Sequence, residues 1–452
     1  MNTRPGAELP SIVVTPPGPR SRELAARLVA VECPAADARR QSRARQSDTD
    51  PTPIVYATGE GANVTDVDGN RYVDLAAGFG ALLLGHRPAA VAGAVERQGA
   101  RLWLALGDVH PSDAKVVLCE RLAALMPFPG ARVLLGSTGA DAVTAALKTA
   151  ALATGRPGVV AFEGAYHGLS HGPLAACGLH PAFREPFAAQ LNPHVAFAPY
   201  PASSEALGEA MDQVTRALQR GDVGAVLVEP VLGRGGCVVP PPDFLPRLRS
   251  ACDAAGALLV CDEIWTGLGR SGAWLASVDA GVVPDLVCLG KGLGAGLPIS
   301  ACVGTSDAMG AWGAHGGTTI HTATHFGAPL ACAAAVATLA TLEERALGAR
   351  ARRMGERWKA LLLERTAALG VVEVRGRGLM IGVALDGGSA RALAVTRVLL
   401  ERGWIVLTGG PRGDVLTLTP PLDVDERLLE AFAGELAGAL SVSADGPPTP
   451  LP

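Results

Sequence analysis

Five short apolar runs, each closed by glycine or a polar residue and each followed by a helical pattern, constrain this chain more than any other feature. They are 133–135 (VLL), 159–162 (VVAF), 225–228 (AVLV), 257–261 (ALLVC) and 286–289 (LVCL). Continuous apolar strands alternating with helices imply an α/β architecture, a mostly parallel sheet covered on both faces. In such sheets ligands sit beyond the carboxyl ends of the strands. The residues there are Gly136-Ser137-Thr138-Gly139-Ala140, Glu163-Gly164-Ala165-Tyr166-His167-Gly168, Glu229-Pro230, Asp262-Glu263 and Gly290-Lys291-Gly292. One small ligand could touch a hydroxyl-and-glycine helix start, an aromatic ring, two carboxylates and a lysine.

The remainder of the chain frames this region. With 452 residues, one large and one small domain are expected. Residues 1–20 hold five prolines and are expected to be a disordered leader, as is the tail 441–452. Residues 21–75 are assigned to an N-terminal segment of the small domain, with helix in 21–50 and a hairpin at 62–74 turning at Asp68-Gly69-Asn70. Residues 76–335 form the large domain and 336–440 the small α+β domain, opening with a charged helix over 341–369. The run 328–342 is short and rich in Ala and Thr, so it reads as a core helix and not a membrane span.

Composition excludes several functions. A net charge of −4 gives no basic surface for nucleic acid or membrane. Nine scattered cysteines without a C-x-x-C pair read as thiols of a reducing compartment, with no metal framework, and the cytoplasm is the expected location. Nucleotide motifs fail too. Gly292-Leu293-Gly294-Ala295-Gly296-Leu297 breaks the G-x-G-x-x-G pattern, and Gly290-Lys291 lacks the Ser/Thr and upstream glycine of a P-loop.

The chain has four lysines, Lys115, Lys148, Lys291 and Lys359. Lys291, between two glycines past a buried strand, suits Schiff-base chemistry, because a desolvated amine is nucleophilic. A surface lysine in a turn is the plainer alternative. Asp262 ends a buried strand and needs a partner; a protonated ring nitrogen would serve, as would a helix cap or an ion pair with Arg270. Thr138, Gly139 and Ala140 open a helix and so suit a phosphate, or simply an N-cap. Tyr166 could stack on a ring or fill the core. Together these groups describe a site for pyridoxal 5′-phosphate, an electron sink tuned through its pyridine nitrogen.

From about 55 to 440 the chain resembles the class III pyridoxal-phosphate-dependent aminotransferases of fold type I. The resemblance is carried by 136–142, FEGAYHG at 162–168, EPVLGRGG at 229–236, DEIWTGLGRSG at 262–272, LGKGLGAGLPISA at 289–301 and THFGAPLACAA at 324–334. It implies a large domain around a seven-stranded-type sheet and transfer of an amino group from an amino acid or amine to a keto acid or aldehyde. Lys291 is then the internal-aldimine lysine and proton shuttle, and Asp262 the partner of the pyridine nitrogen. Ile264 and Tyr166 flank the ring, and Thr138, Gly139 and Ala140 hold the phosphate. Thr324 reaches the phosphate from a neighbouring subunit, which implies a homodimer with shared active sites.

Three positions depart from the family pattern. Trp265 stands where members often have Gln, Arg234 where many have Glu, and Thr417 where many have Arg. The last two changes remove a Glu–Arg gate yet leave one cation, so Arg234 is a candidate for binding a substrate carboxylate; a solvent-facing loop arginine is the alternative. Aminomutases, racemases and decarboxylases share the same cofactor residues, and a non-catalytic cofactor-binding protein is the remaining rival.

Overall fold

The computed structural model describes residues 5–315 and 317–444. Its contacts form two compact units: one holds the residues up to Pro88 and those from Ala351 on, the other Ala89–Arg350. The boundary expected at 335/336 instead falls inside an unbroken helix, Pro329–Glu344, whose buried face carries Ala331, Cys332, Ala334, Ala335, Leu339 and Leu342.

In the first unit, Tyr56–Glu60 (β1), Asn63–Asp66 (β2) and Arg71–Asp74 (β3) form an antiparallel meander. The β2–β3 turn lies where expected, with Gly69 at φ +90°. Asn70 beside it is buried and decides the fate of the leader. Its Oδ1 accepts from the Val13 and Val14 N–H groups at 2.9 Å each, and Ser11 bridges to Arg71. The described part of the segment expected to be disordered over 1–20 is thereby pinned along the hairpin, since a buried amide recovers hydrogen bonds from it. Residues 1–4 and 445–452 lie outside the described residues. Two helices, Pro19–Val29 and Pro34–Ser47, follow.

The second unit is built on a seven-stranded sheet. Its strands are Arg132–Gly136 (β4), Gly158–Phe162 (β5), Val195–Ala198 (β6), Val223–Val228 (β7), Leu258–Asp262 (β8), Leu286–Leu289 (β9) and Ser300–Gly304 (β10). They lie in the order β4-β10-β9-β8-β7-β5-β6. Only β10 runs against its neighbours in this sheet, pairing antiparallel with both β4 and β9. One face packs on the helix Gly139–Thr154 through Ala142, Val143, Ala146 and Ala150. The other packs on Ser204–Leu218 and Phe244–Ala255 through Leu207, Val214, Leu248 and Cys252. Both faces are covered, so β5, β7, β8 and β9 are apolar throughout, apart from Asp262 at the end of β8.

From Ala351 on, the first unit is completed by Val371–Arg377 (β11), Met380–Leu385 (β12), Trp404–Ile405 (β13), Leu407–Gly409 (β14) and Val415–Leu418 (β15). β13 joins β3 in parallel, and the others form the sheet β11-β12-β15-β14. The single helix expected over 341–369 is two. It breaks at Arg345 and Ala346, where Ala346 takes φ +47°, and resumes at Leu347–Arg365. Among the described residues no helix is long and apolar enough to cross a membrane.

Candidate active site

β4 leads through Ser137 into the Gly139–Thr154 helix, and Thr138 is its N-cap. Thr138 Oγ1 accepts from the Asp141 N–H at 3.2 Å, and Asp141 Oδ2 accepts from the N–H groups of Ser137 (3.1 Å) and Thr138 (2.8 Å). The hydroxyl therefore does cap the helix. The next N–H groups, of Gly139 and Ala140, have no intrahelical acceptor and point along the positive end of the helix dipole. Glycine is required here: a Cβ on Gly139 would stand 2.9 Å from Ile264 Cδ1. A Cβ on Gly290 would meet Ile264 Cγ2 at 3.3 Å and Gly139 Cα at 3.5 Å. The ends of β4, β8 and β9 thus converge with backbone nearly on backbone.

Asp262 is buried at the end of β8. Its Oδ2 accepts from His167 Nδ1 at 2.7 Å, and its Oδ1 from the Ile264 N–H at 3.1 Å. Its side-chain partner is thus His167, on the loop after β5, and not Arg270. Each carboxylate oxygen keeps a second lone pair for a ligand. His167 Nε2 is buried without a partner. Glu229, at the end of β7, is buried as well, and burial raises its carboxyl above the usual range. It ties two loops together: Oε1 accepts from the Tyr166 N–H at 2.7 Å and Oε2 from the Gly233 N–H at 2.9 Å.

Lys291 starts a single 3₁₀ turn, Lys291–Gly294, with φ +38°. Its amine lies inside the protein, where burial pushes it down to about 8; Asp262 and Glu229 oppose that shift and Arg234 adds to it. Nζ sits 4.3 Å from the centre of the Trp265 ring. Trp265 is 9% exposed, and its Nε1–H is buried without an acceptor. The loop that holds it is fastened by buried Glu263, which accepts from the Ser277 N–H (2.7 Å), Ser277 Oγ (2.8 Å) and Thr266 Oγ1.

Lys291, Asp262, Ile264, Tyr166, Trp265, Arg234 and the 138–140 helix start all belong to the second unit. The guanidinium carbon of Arg234 lies 4.3 Å from the centre of the Tyr166 ring. Thr324 is exposed on the same unit. Thr417 belongs to the first unit, buried within β15 opposite Gly382 and Leu407. Sequence reasoning gave no role to His167, nor to Glu263 as a loop fastener. The position of His167, beside an aromatic residue at a strand end, was the available signal.

Comparison with known proteins agrees with this geometry. Residues 44–440 match the class III aminotransferase family. An acetylornithine aminotransferase from Methanopyrus kandleri is 39% identical over 86% of this chain and 95% of its own. A 5-aminovalerate aminotransferase from Pseudomonas aeruginosa is 36% identical over 85% and 93%. Among solved structures, an amine transaminase from an uncultivated Pseudomonas species, in its pyridoxal-phosphate-bound form, is 31% identical with a TM-score of 0.77 over 86% and 94%. An ornithine aminotransferase from Toxoplasma gondii is 30% identical with a TM-score of 0.79 over 94% and 98%. With a family match over most of its length, and an α/β fold that puts a half-buried lysine and a buried aspartate at neighbouring strand ends, the chain belongs to the class III aminotransferases, enzymes of pyridoxal-phosphate-dependent amino-group transfer.

Proposed function

We propose that Lys291 is the covalent attachment point for pyridoxal 5′-phosphate and that its amine moves the substrate proton. The observation that carries this reading is a lysine just past the end of β9 whose amine lies 4.3 Å from the centre of the buried Trp265 ring, where burial lowers its affinity for protons. The surrounding residues fit the cofactor. Asp262 has lone pairs left for a ring N–H, the N–H groups of Gly139 and Ala140 have no intrahelical acceptor to compete with a phosphate, and two buried polar atoms, His167 Nε2 and Trp265 Nε1, have no partner in the protein.

When bound, pyridoxal phosphate supplies an aldehyde that takes up the amino group and a ring that takes up the electrons left on the substrate carbon. The chain does the rest. Asp262 would hold a proton on the ring nitrogen, with His167 orienting Asp262 through Nδ1. Ile264 and Tyr166 would bound the ring faces, and the N–H groups of Gly139 and Ala140 would hold the phosphate. Lys291 Nζ would take the proton from substrate Cα and deliver it to the cofactor carbon bonded to the amino nitrogen. Borohydride reduction followed by peptide mass spectrometry tests this assignment: a pyridoxyl group on the Lys291 peptide is expected, and its presence elsewhere overturns it.

We further propose a homodimer in which Thr324 of one subunit reaches the phosphate of the other. Support comes from an exposed apolar stretch of the second unit, with Trp103 71%, Leu106 65% and Val109 65% exposed. Such surface is normally covered. Sedimentation should give twice the chain mass and Trp103→Glu should lower it; a wild-type monomer would refute the dimer. The proposed compartment is the cytoplasm, supported by nine cysteines without a disulfide; recovery from an extracytoplasmic fraction would overturn it.

A further inference from the structure

We propose that Arg234 is the anchor for a substrate carboxylate, so that the preferred donor or acceptor is an amino acid or oxo acid and not a neutral amine or aldehyde. The proposal rests on the assignment of the reacting site to Lys291.

The loop after β7 holds Arg234 in place from several directions. Leu232 and Val238 exchange backbone hydrogen bonds at 3.0 and 3.1 Å, closing the loop at its base. Glu229 holds the Gly233 N–H on one side and the Tyr166 N–H on the other. A Cβ on Gly235 would stand 2.7 Å from the Gly164 carbonyl oxygen, so this loop lies directly against the loop of Tyr166. On this support the guanidinium lies over the Tyr166 ring. The ring contact engages the cation without using its N–H groups, which make no hydrogen bond among the described residues and so remain available to a planar, bidentate acceptor.

The charge of Arg234 is not answered within the protein. It makes no ion pair among the described residues, and it is only partly exposed. The nearby carboxylates are already engaged: Glu229 by two backbone N–H groups, Asp262 by His167 and the Ile264 N–H. Arg234 is close enough to Lys291 to disfavour protonation of its amine. Two cationic groups therefore flank the place where a substrate must bind, and one of them has no counter-ion. A carboxylate on the substrate supplies it with charge-assisted hydrogen bonds.

The test uses the holoenzyme and two probes that differ by one carboxylate, 5-aminovalerate and butylamine, together with glutarate as an unreactive competitor. In Arg234→Gln the ratio of kcat/KM for 5-aminovalerate to that for butylamine should fall about 10–100-fold, chiefly through KM, and glutarate inhibition should weaken comparably. Arg234→Lys should recover part of the loss, because charge returns without the planar fork. A ratio unchanged in Arg234→Gln overturns the proposal. Phenylglyoxal labelling of wild type, mapped by peptide mass spectrometry, is independent of how any variant folds. Glutarate should protect Arg234, and lack of protection overturns the proposal. Borohydride mapping on the same protein tells the two failures apart, because a pyridoxyl group on Lys291 with an indifferent Arg234 defeats only the anchor.

Discussion

His167 Nδ1 donates to Asp262 Oδ2 across 2.7 Å, although 95 residues separate the two along the chain. Both side chains are buried, so each is the other's replacement for water. Removing the imidazole leaves a buried carboxylate with only a backbone N–H for support. His167→Phe should cost about 1–3 kcal/mol of stability and weaken pyridoxal phosphate binding. Urea melts and an absorbance titration measure the two effects; a variant unchanged in both would show that the pair contributes nothing.

The lowered proton affinity of Lys291 predicts how the cofactor-free protein responds to pH. Its amine is about one-tenth neutral at pH 7 and half neutral near 8. Capture of pyridoxal phosphate by apoprotein should accelerate close to tenfold per pH unit below 8 and level off above it. Stability follows the same group. The unfolded chain binds this proton up to pH 10.5 and the folded chain only to about 8. Apoprotein should therefore gain stability between those values, and Lys291→Met should remove the gain. Matched melts of both proteins from pH 7 to 11 would expose a missing difference.

Trp265 lies within cation–π distance of Lys291 Nζ, so a ligand attached there must sit beside the indole. Binding of pyridoxal phosphate should quench tryptophan emission, and Trp265→Phe should lose most of that quenching while keeping the yellow colour. Equal quenching in both proteins would place Trp265 away from the ligand.

Two glycines should respond to alanine with opposite signs. At Gly178 a Cβ would collide with the Phe162 carbonyl oxygen. The Gly178 carbonyl accepts from the Gly164 N–H at 3.0 Å, at the root of the loop that carries Tyr166 and His167. Gly178→Ala should cost about 1–3 kcal/mol. Gly208 lies inside the helix Ser204–Leu218 with nothing within 4 Å of a new Cβ. Gly208→Ala should add about 0.5–1 kcal/mol. Denaturation midpoints of the two variants would settle both signs.

The strand ends that form the candidate site were readable because strands buried on two faces must be continuously apolar, which makes the first polar residue after each run conspicuous. Lys291 and Asp262 were found that way. Val195–Ala198 escaped notice because it is an edge strand, only partly buried, in a segment without strong patterning. Ser300–Gly304 escaped because it begins on serine, ends on glycine and follows only a 3₁₀ turn in place of an α-helix. The break at Ala346 had neither Gly nor Pro to announce it. The partner of Asp262 could not be read from local sequence, since only packing brings the end of β5 to the end of β8. The leader was misread for a related reason: its prolines are visible, but the buried Asn70 that holds it lies more than fifty residues downstream.

The reversed direction of β10 bears on the speed of exchange at Lys291. Because β10 returns beside β9, with Ala301 opposite Leu289, the segment carrying the lysine is a short span clamped at both feet by the central sheet. Strand pairing fixes where this span begins and ends. If Lys291 carries the ligand, rotation about its four-carbon stem, a picosecond-to-nanosecond event in an unhindered side chain, can move the amine while both feet stay in the sheet.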